Sequence, residues 1–247
     1  MAKKTIPISQ PRVDRNPYRQ YLVPSRYVEI TPTLRRLVRE YVVKNSASPQ
    51  EAVAEIFDYV RDLPFGVSKV YKTTEAWDHV PRPLIGISKA TLQVGLCRSV
   101  GVATRFHTWK LTPLRELMKR ANEFLSSKEM PPLQGELIFY HSSAEVYLRG
   151  KWVIVDATID RALEPVFEAN VWAGVKDMSI KGFHILQDLG LAADVPDVAV
   201  NYLDRGGRLP IYLRPFNSMV LSAHSRRING ILDAIRDNHI KERSRDT

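Results

Sequence analysis

The spacing of apolar residues along this 247-residue chain shifts from helical to strand-like near its middle. Residues 1–30 carry Pro7, Pro11, Pro17 and Pro24. A proline fixes φ and withholds an N–H, so this stretch reads as an extended arm. From Thr31, "TPTLRRLVREYVVKN" opens with a hydroxyl N-cap and a proline at the first helical position, which predicts a helix. "SPQEAVAEIFDYVRDLPF" predicts a second, because Ser48 and Glu51 have capping-box spacing and Val53, Ile56, Phe57 and Val60 recur at helical intervals. Residues 63–86 are broken by prolines and read as a long loop. "ISKATLQVGLCRSVG" then predicts a helix from about Ile87, stopped at Gly101, where a left-handed residue ends a helix cheaply. "VATRFHTWKL" alternates like a strand, and "TPLRELMKRANEFLSS" returns to the helical period.

The stretch "YHSSAEVYLRGKWVIVDATID" reads as a β-hairpin. A two-residue turn at Arg149-Gly150 would set Leu148 opposite Lys151, His141 opposite Thr158 and Ser143 opposite Asp156. One face then carries His141, Ser143, Glu145, Tyr147, Trp152, Ile154 and Asp156; the other carries Ala144, Val146, Leu148, Val153, Val155 and Ala157. His141 and Asp156 become diagonal neighbours with α-carbons ~7–8 Å apart. Arg-Gly is not a favoured two-residue turn, and a slip of one residue would separate the pair. Residues 161–216 show no clear period, and "NSMVLSAHSRRINGILDAIRDNHIKER" predicts a C-terminal helix with a break at Gly230. Helices first, one central helix, then antiparallel strands predict an α+β fold with that helix packed on a small antiparallel sheet.

Composition narrows the classes. The chain is 44% hydrophobic and 26% charged, ordinary for a globular protein. It has no run of ~18 apolar residues, and its start lacks the apolar core of a signal peptide, so the expectation is a cytoplasmic protein without a membrane span. Its 1 Cys excludes an intramolecular disulfide and a cysteine-based zinc site. The net charge of +9 is concentrated in Lys3, Lys4, Arg12, Arg15, Arg19 and Arg26 at one end and Arg226, Arg227, Lys241, Arg243 and Arg245 at the other. Such a surface suits anionic small molecules or an acidic protein partner; no zinc finger, RNA-recognition motif or basic helix points to nucleic acid.

A histidine beside an aspartate on one strand pair is often structural, but the surrounding words are specific. "H-x-x-x-E-V-Y-L-x-G-K-W-V-x-V-D-A-T" resembles the histidine and aspartate blocks of the transglutaminase-like superfamily, the papain-related fold of transglutaminases and many bacterial cysteine amidases. "SKATLQVGLCRSVGVATRF" resembles the helix that follows the nucleophile in that family. The resemblance covers roughly residues 50–160. It implies one domain over residues 31–247, with residues 161–247 as a C-terminal elaboration behind the 1–30 arm. It also implies that His141 handles protons and that Asp156 orients its ring.

The resemblance places the cysteine nucleophile three residues before Lys89, and that residue is Gly86, in "PRPLIGISKA". Cys97 lies three helical turns on, ~16 Å along the axis, at a spacing that belongs to the core. Ser88 is nearer the helix start but is a poorer nucleophile. A glycine at the helix start would leave room and free N–H groups for a carboxylate, enolate or phosphate. His107 and Trp109 share a strand face that could line the pocket, His79 in the long loop could fold over it, and Glu145 shares the His141 face. Without an H-E-x-x-H or similar pattern, neither metal nor cofactor is expected. Three readings stay open. One is a small-molecule enzyme in which His141 and Asp156 do acid/base work with Gly86, Ser88, Glu145 and His107 around the substrate. The second is a non-catalytic protein that binds a peptide or protein in the cleft. The third is an acyl-transfer enzyme using Cys97.

Overall fold

The computed structural model describes residues 17–129, 131–133, 137–164, 166–168, 171–172, 174, 176–204 and 217–243. The first helix, α1 (Pro32–Leu37), starts as its sequence dictates, with the Thr31 hydroxyl accepting from the Leu34 N–H at 3.0 Å. It runs on through residues 38–42 in a wider turn closed by Val43 N–H to the Val38 carbonyl. In α2 (Pro49–Asp62) the Ser48 hydroxyl accepts from the Glu51 N–H at 3.2 Å. The returning carboxylate of Glu51 reaches one residue past the cap, to the Ala47 N–H at 2.7 Å. Val53, Ile56, Phe57 and Val60 are all buried, as their spacing requires.

The long loop expected over 63–86 contains a helix, α3 (Thr73–His79). It lies against the central helix α4 (Gly86–Ser99), every residue of which is buried. Gly95 makes this contact possible, because a β-carbon there would collide with the Thr73 side chain. Gly101, at φ +88°, ends the α4 segment as expected.

Four antiparallel strands follow, β1 (Thr104–Pro113), β2 (Phe139–Leu148), β3 (Lys151–Val155) and β4 (Phe183–Ala192), in the spatial order β3-β2-β1-β4. The chain passes from β1 to β2 through α5 (Arg115–Ser127). The hairpin register is the one the sequence predicts: Leu148 opposes Lys151, and the ladder runs to Ala144 opposite Val155. Arg149 and Gly150 adopt φ of 50° and 84°, the positive pair that a primed two-residue turn demands. Ala144, Val146, Leu148, Val153, Val155 and Ala157 all lie in the core. One side of α4 packs Ile87, Ala90 and Val94 on Phe106 and Ala144, and another packs Leu92 and Leu96 among the α2 residues.

β4 was not legible in residues 161–216. It is largely exposed and pairs with β1 through two register shifts, so its apolar residues follow no buried-face alternation. After α6 (Asp197–Asp204), the last helix α7 (Asn217–Arg243) is continuous through Gly230, where open surroundings ask for no break. Of the expected arm, residues 1–16 lie outside the described residues. Its visible part stacks Tyr18 on Tyr147, with ring centroids 4.1 Å apart, and sets Tyr21 edge-on to Trp152. No helix among the described residues is long and apolar enough to cross a membrane.

Candidate active site

The hairpin register brings together the first pair of candidate site residues. His141 Nε2 lies 2.8 Å from Asp156 Oδ2, and both side chains are largely buried, at 13% and 6% exposure. The aspartate is held from several sides. Its Oδ1 accepts from the Thr158 N–H at 3.1 Å, its own N–H rests on Met178 Sδ at 3.2 Å, and the Thr158 side chain also bonds its carboxylate. Met178 in turn donates its N–H to the Ile154 carbonyl, which brings residues 177–178 along the outer edge of β3.

Burial pulls the imidazole of His141 toward neutrality, but the charge of Asp156 and their hydrogen bond outweigh it and hold its pKa above the ordinary value. For Asp156, burial favours the neutral acid, and the histidine charge, the same hydrogen bond and the two Thr158 bonds outweigh that, keeping its pKa below the usual carboxylate range. The two directions agree: each group favours the charged form of the other.

The other ring nitrogen faces the start of α4. A β-carbon on Gly86 would lie 3.8 Å from His141 Nδ1 and 3.2 Å from the Thr158 methyl carbon. Ile85, in the N-cap position, supplies no side-chain cap. Gly86 itself is buried, so the room expected there is narrow and bounded by Thr158.

The remaining candidates are placed elsewhere. Ser88 has no exposed surface and its hydroxyl donates to the Val70 carbonyl. Glu145 is taken by Arg105 Nε at 2.6 Å and His107 Nδ1 at 2.8 Å, and His107 Nε2 lies 3.0 Å from Asp188. Glu145 and His107 are thus engaged in this outer-face network, and Ser88 with Val70. Trp109 separates the network from the dyad, stacked on His107 at 3.9 Å and nearly parallel to His141 at 6.2 Å between centroids. His79 is half-buried at the end of α3, its carbonyl accepting from Arg82. Cys97 is fully buried in the core, and burial pushes its thiol up to about 12. That corrects the reading of Cys97 as a nucleophile, since the thiolate is the reactive form.

Lys89, one turn after Gly86, has no exposed surface, and its ammonium donates to the carbonyls of Arg61 at 3.1 Å and Leu63 at 2.8 Å. Burial lowers its pKa to about 7, against the opposing pull of Asp160 and Asp156.

Residues 36–157 match the family model of the transglutaminase-like superfamily. This part of the chain belongs to the transglutaminase-like superfamily. The match takes in α4, β1 and the whole β2–β3 hairpin, and it ends one residue past Asp156. A solved structure from Cytophaga hutchinsonii, named "Putative Cysteine Protease", is similar at 20% identity and a TM-score of 0.47, covering 77% of this chain and 52% of that one. This chain spans about half of that protein's length. No curated protein matches it.

Proposed function

We propose that this protein is an acid/base catalyst on a transglutaminase-like scaffold, in which Gly86 stands where the family carries its cysteine nucleophile. The observation that carries the reading is the orientation of His141. One ring nitrogen is bound to Asp156, and the other faces the β-carbon position of residue 86 at the start of a buried helix. That is the arrangement of a nucleophile, base and orienting carboxylate with the nucleophile deleted. Covalent acyl transfer through a thiol is then closed to it, and proton transfer is what remains.

The substrate is a small carbonyl compound, and the net charge of +9 favours an anionic one. His141 Nδ1 removes the proton next to the carbonyl, and the C–H electron pair moves into the carbonyl to give an enolate. The Nε2–H stays on Asp156, which stabilises the imidazolium that forms. The uncapped N–H groups at the start of α4 face the developing negative charge. The proton then returns to the same carbon, to a neighbouring carbon or to a leaving group, giving exchange, isomerisation or elimination.

The test is a panel of 2-oxo and 3-oxo acids in deuterated water, followed by NMR for loss of the α-proton signal. The reading expects exchange with the natural protein and at least a hundredfold less with His141→Ala. Equal exchange by both proteins would defeat it. A second reading, a binding protein without turnover, is favoured by the burial of Gly86 and the closeness of Thr158. It predicts no exchange on any member of the panel and a histidine that merely holds the strand.

A further inference from the structure

Two segments frame the candidate site. One is the chain leading into Gly86, and the other is the turn after β3 that carries Asp156. Residues 64–68 brace the first: Gly66 N–H donates to the Leu84 carbonyl at 3.0 Å, Leu84 N–H to the Pro64 carbonyl at 2.9 Å, and Ile85 N–H to the Ser68 hydroxyl at 3.0 Å. The second runs through Thr158 to Asp160, which is 3% exposed.

Both segments converge on α7, which lies beyond the family match. The Asp160 carboxylate accepts from the Phe65 N–H at 2.7 Å and from Arg236 Nη2 at 2.8 Å, while Arg236 also donates to the Phe65 carbonyl. One guanidinium and one carboxylate thus join the 64–68 segment, the Asp156 turn and α7. One helical stretch earlier, Asn229 uses its whole amide on Val67, accepting from its N–H at 2.7 Å and donating to its carbonyl at 3.1 Å. Gly66 permits this approach, since a β-carbon there would lie 2.7 Å from Asn229 Oδ1 and 2.7 Å from Pro83. Leu232 and Ile235 seat the same helix by apolar contact alone.

We propose that Asp160, Arg236 and Asn229 are positioning residues, and that α7 acts through them to set the His141–Asp156 dyad against the start of α4. This rests on the acid/base reading of that dyad, and it gives residues 161–247 a role in the site without any contact with the reacting atoms. Helix packing through Leu232 could stabilise the fold without touching the dyad; the polar clamp cannot be loosened without releasing the turn that carries Asp156.

The experiment is the NMR pH titration of the His141 ring in the full chain, in Arg236→Ala, Arg236→Lys and Leu232→Ala variants beside the natural protein. Arg236→Ala is expected to lower the His141 midpoint by about one unit, because Asp156 loses its fixed distance. Arg236→Lys should restore part of that shift, and Leu232→Ala should lower the melting temperature while leaving the midpoint in place. A raised midpoint that Arg236→Ala does not move, or that Leu232→Ala moves equally, overturns this inference alone. A midpoint already ordinary in the natural protein overturns it together with the dyad. A raised, clamp-dependent midpoint with no proton exchange on the oxo-acid panel keeps the positioning role and defeats only the catalytic reading.

Discussion

Gly86→Cys places a thiol at the position proposed for the nucleophile. The new β-carbon comes 3.8 Å from His141 Nδ1 and 3.2 Å from the Thr158 methyl, so Thr158 must yield by a few tenths of an ångström. Thr158→Ser in the same chain removes that methyl and keeps the hydroxyl. A thiolate and an imidazolium ~4 Å apart at an effective dielectric of ~20 attract by ~4 kcal/mol. At 1.36 kcal/mol per unit this corresponds to ~3 pKa units. The helix N-terminus adds ~0.5 kcal/mol in the same direction, and burial of the thiol subtracts. The expected midpoint is therefore ~6, against ~8.5 for an ordinary cysteine. The assay is the rate of alkylation by iodoacetamide as a function of pH. Cys97, fully buried with its thiol pushed up to about 12, stays silent and serves as the internal control. In Gly86→Cys with His141→Ala the midpoint should return to the ordinary value. A thiol that titrates ordinarily with His141 in place would refute the assignment of residue 86.

The dyad also fixes a stability window. The raised His141 contributes below its unfolded pKa and loses that contribution as pH rises through the folded value; the depressed Asp156 contributes above its unfolded pKa and loses it as pH falls through the folded one. Stability from this pair is thus fullest between the two, and Asp156→Asn should lower it there by ~3 kcal/mol, read from urea unfolding across pH. Arg98 donates to the carbonyls of Thr104, Val23 and Ala193, so Arg98→Met strands three acceptors and should cost ~3 kcal/mol in the same unfolding assay. Gly95→Ala drives a methyl into Thr73 and should destabilise by ~2 kcal/mol, whereas Gly230→Ala, in open space, should raise the melting temperature slightly.

Much of the dyad could be read from the sequence because a β-hairpin is local. Once Arg149-Gly150 makes the turn, the period of two places His141 and Asp156 on one face, and Ala144, Val146, Val153 and Val155 on the other. Gly86 begins a helix that is buried throughout, and its β-carbon position lies 3.8 Å from His141 Nδ1. What escaped was set by distant chain. α3 is short and flanked by prolines, and its stability comes from Thr73 seated on α4 and not from its own pattern. β4 lacks a buried face and so lacks an alternation to detect. Glu145 and His107 look available in a list of polar residues, yet Arg105 and Asp188 claim them across strands. The Asp160–Arg236 clamp joins residues 76 apart, and nothing in either local stretch announces it.

The most direct test of the central claim, a working proton-transfer pair facing an empty nucleophile position, is the NMR titration of His141 in the natural chain and in Asp156→Asn. A midpoint above the ordinary imidazole range that falls when residue 156 loses its charge is the predicted result. A midpoint in the ordinary range that ignores residue 156 would contradict the account.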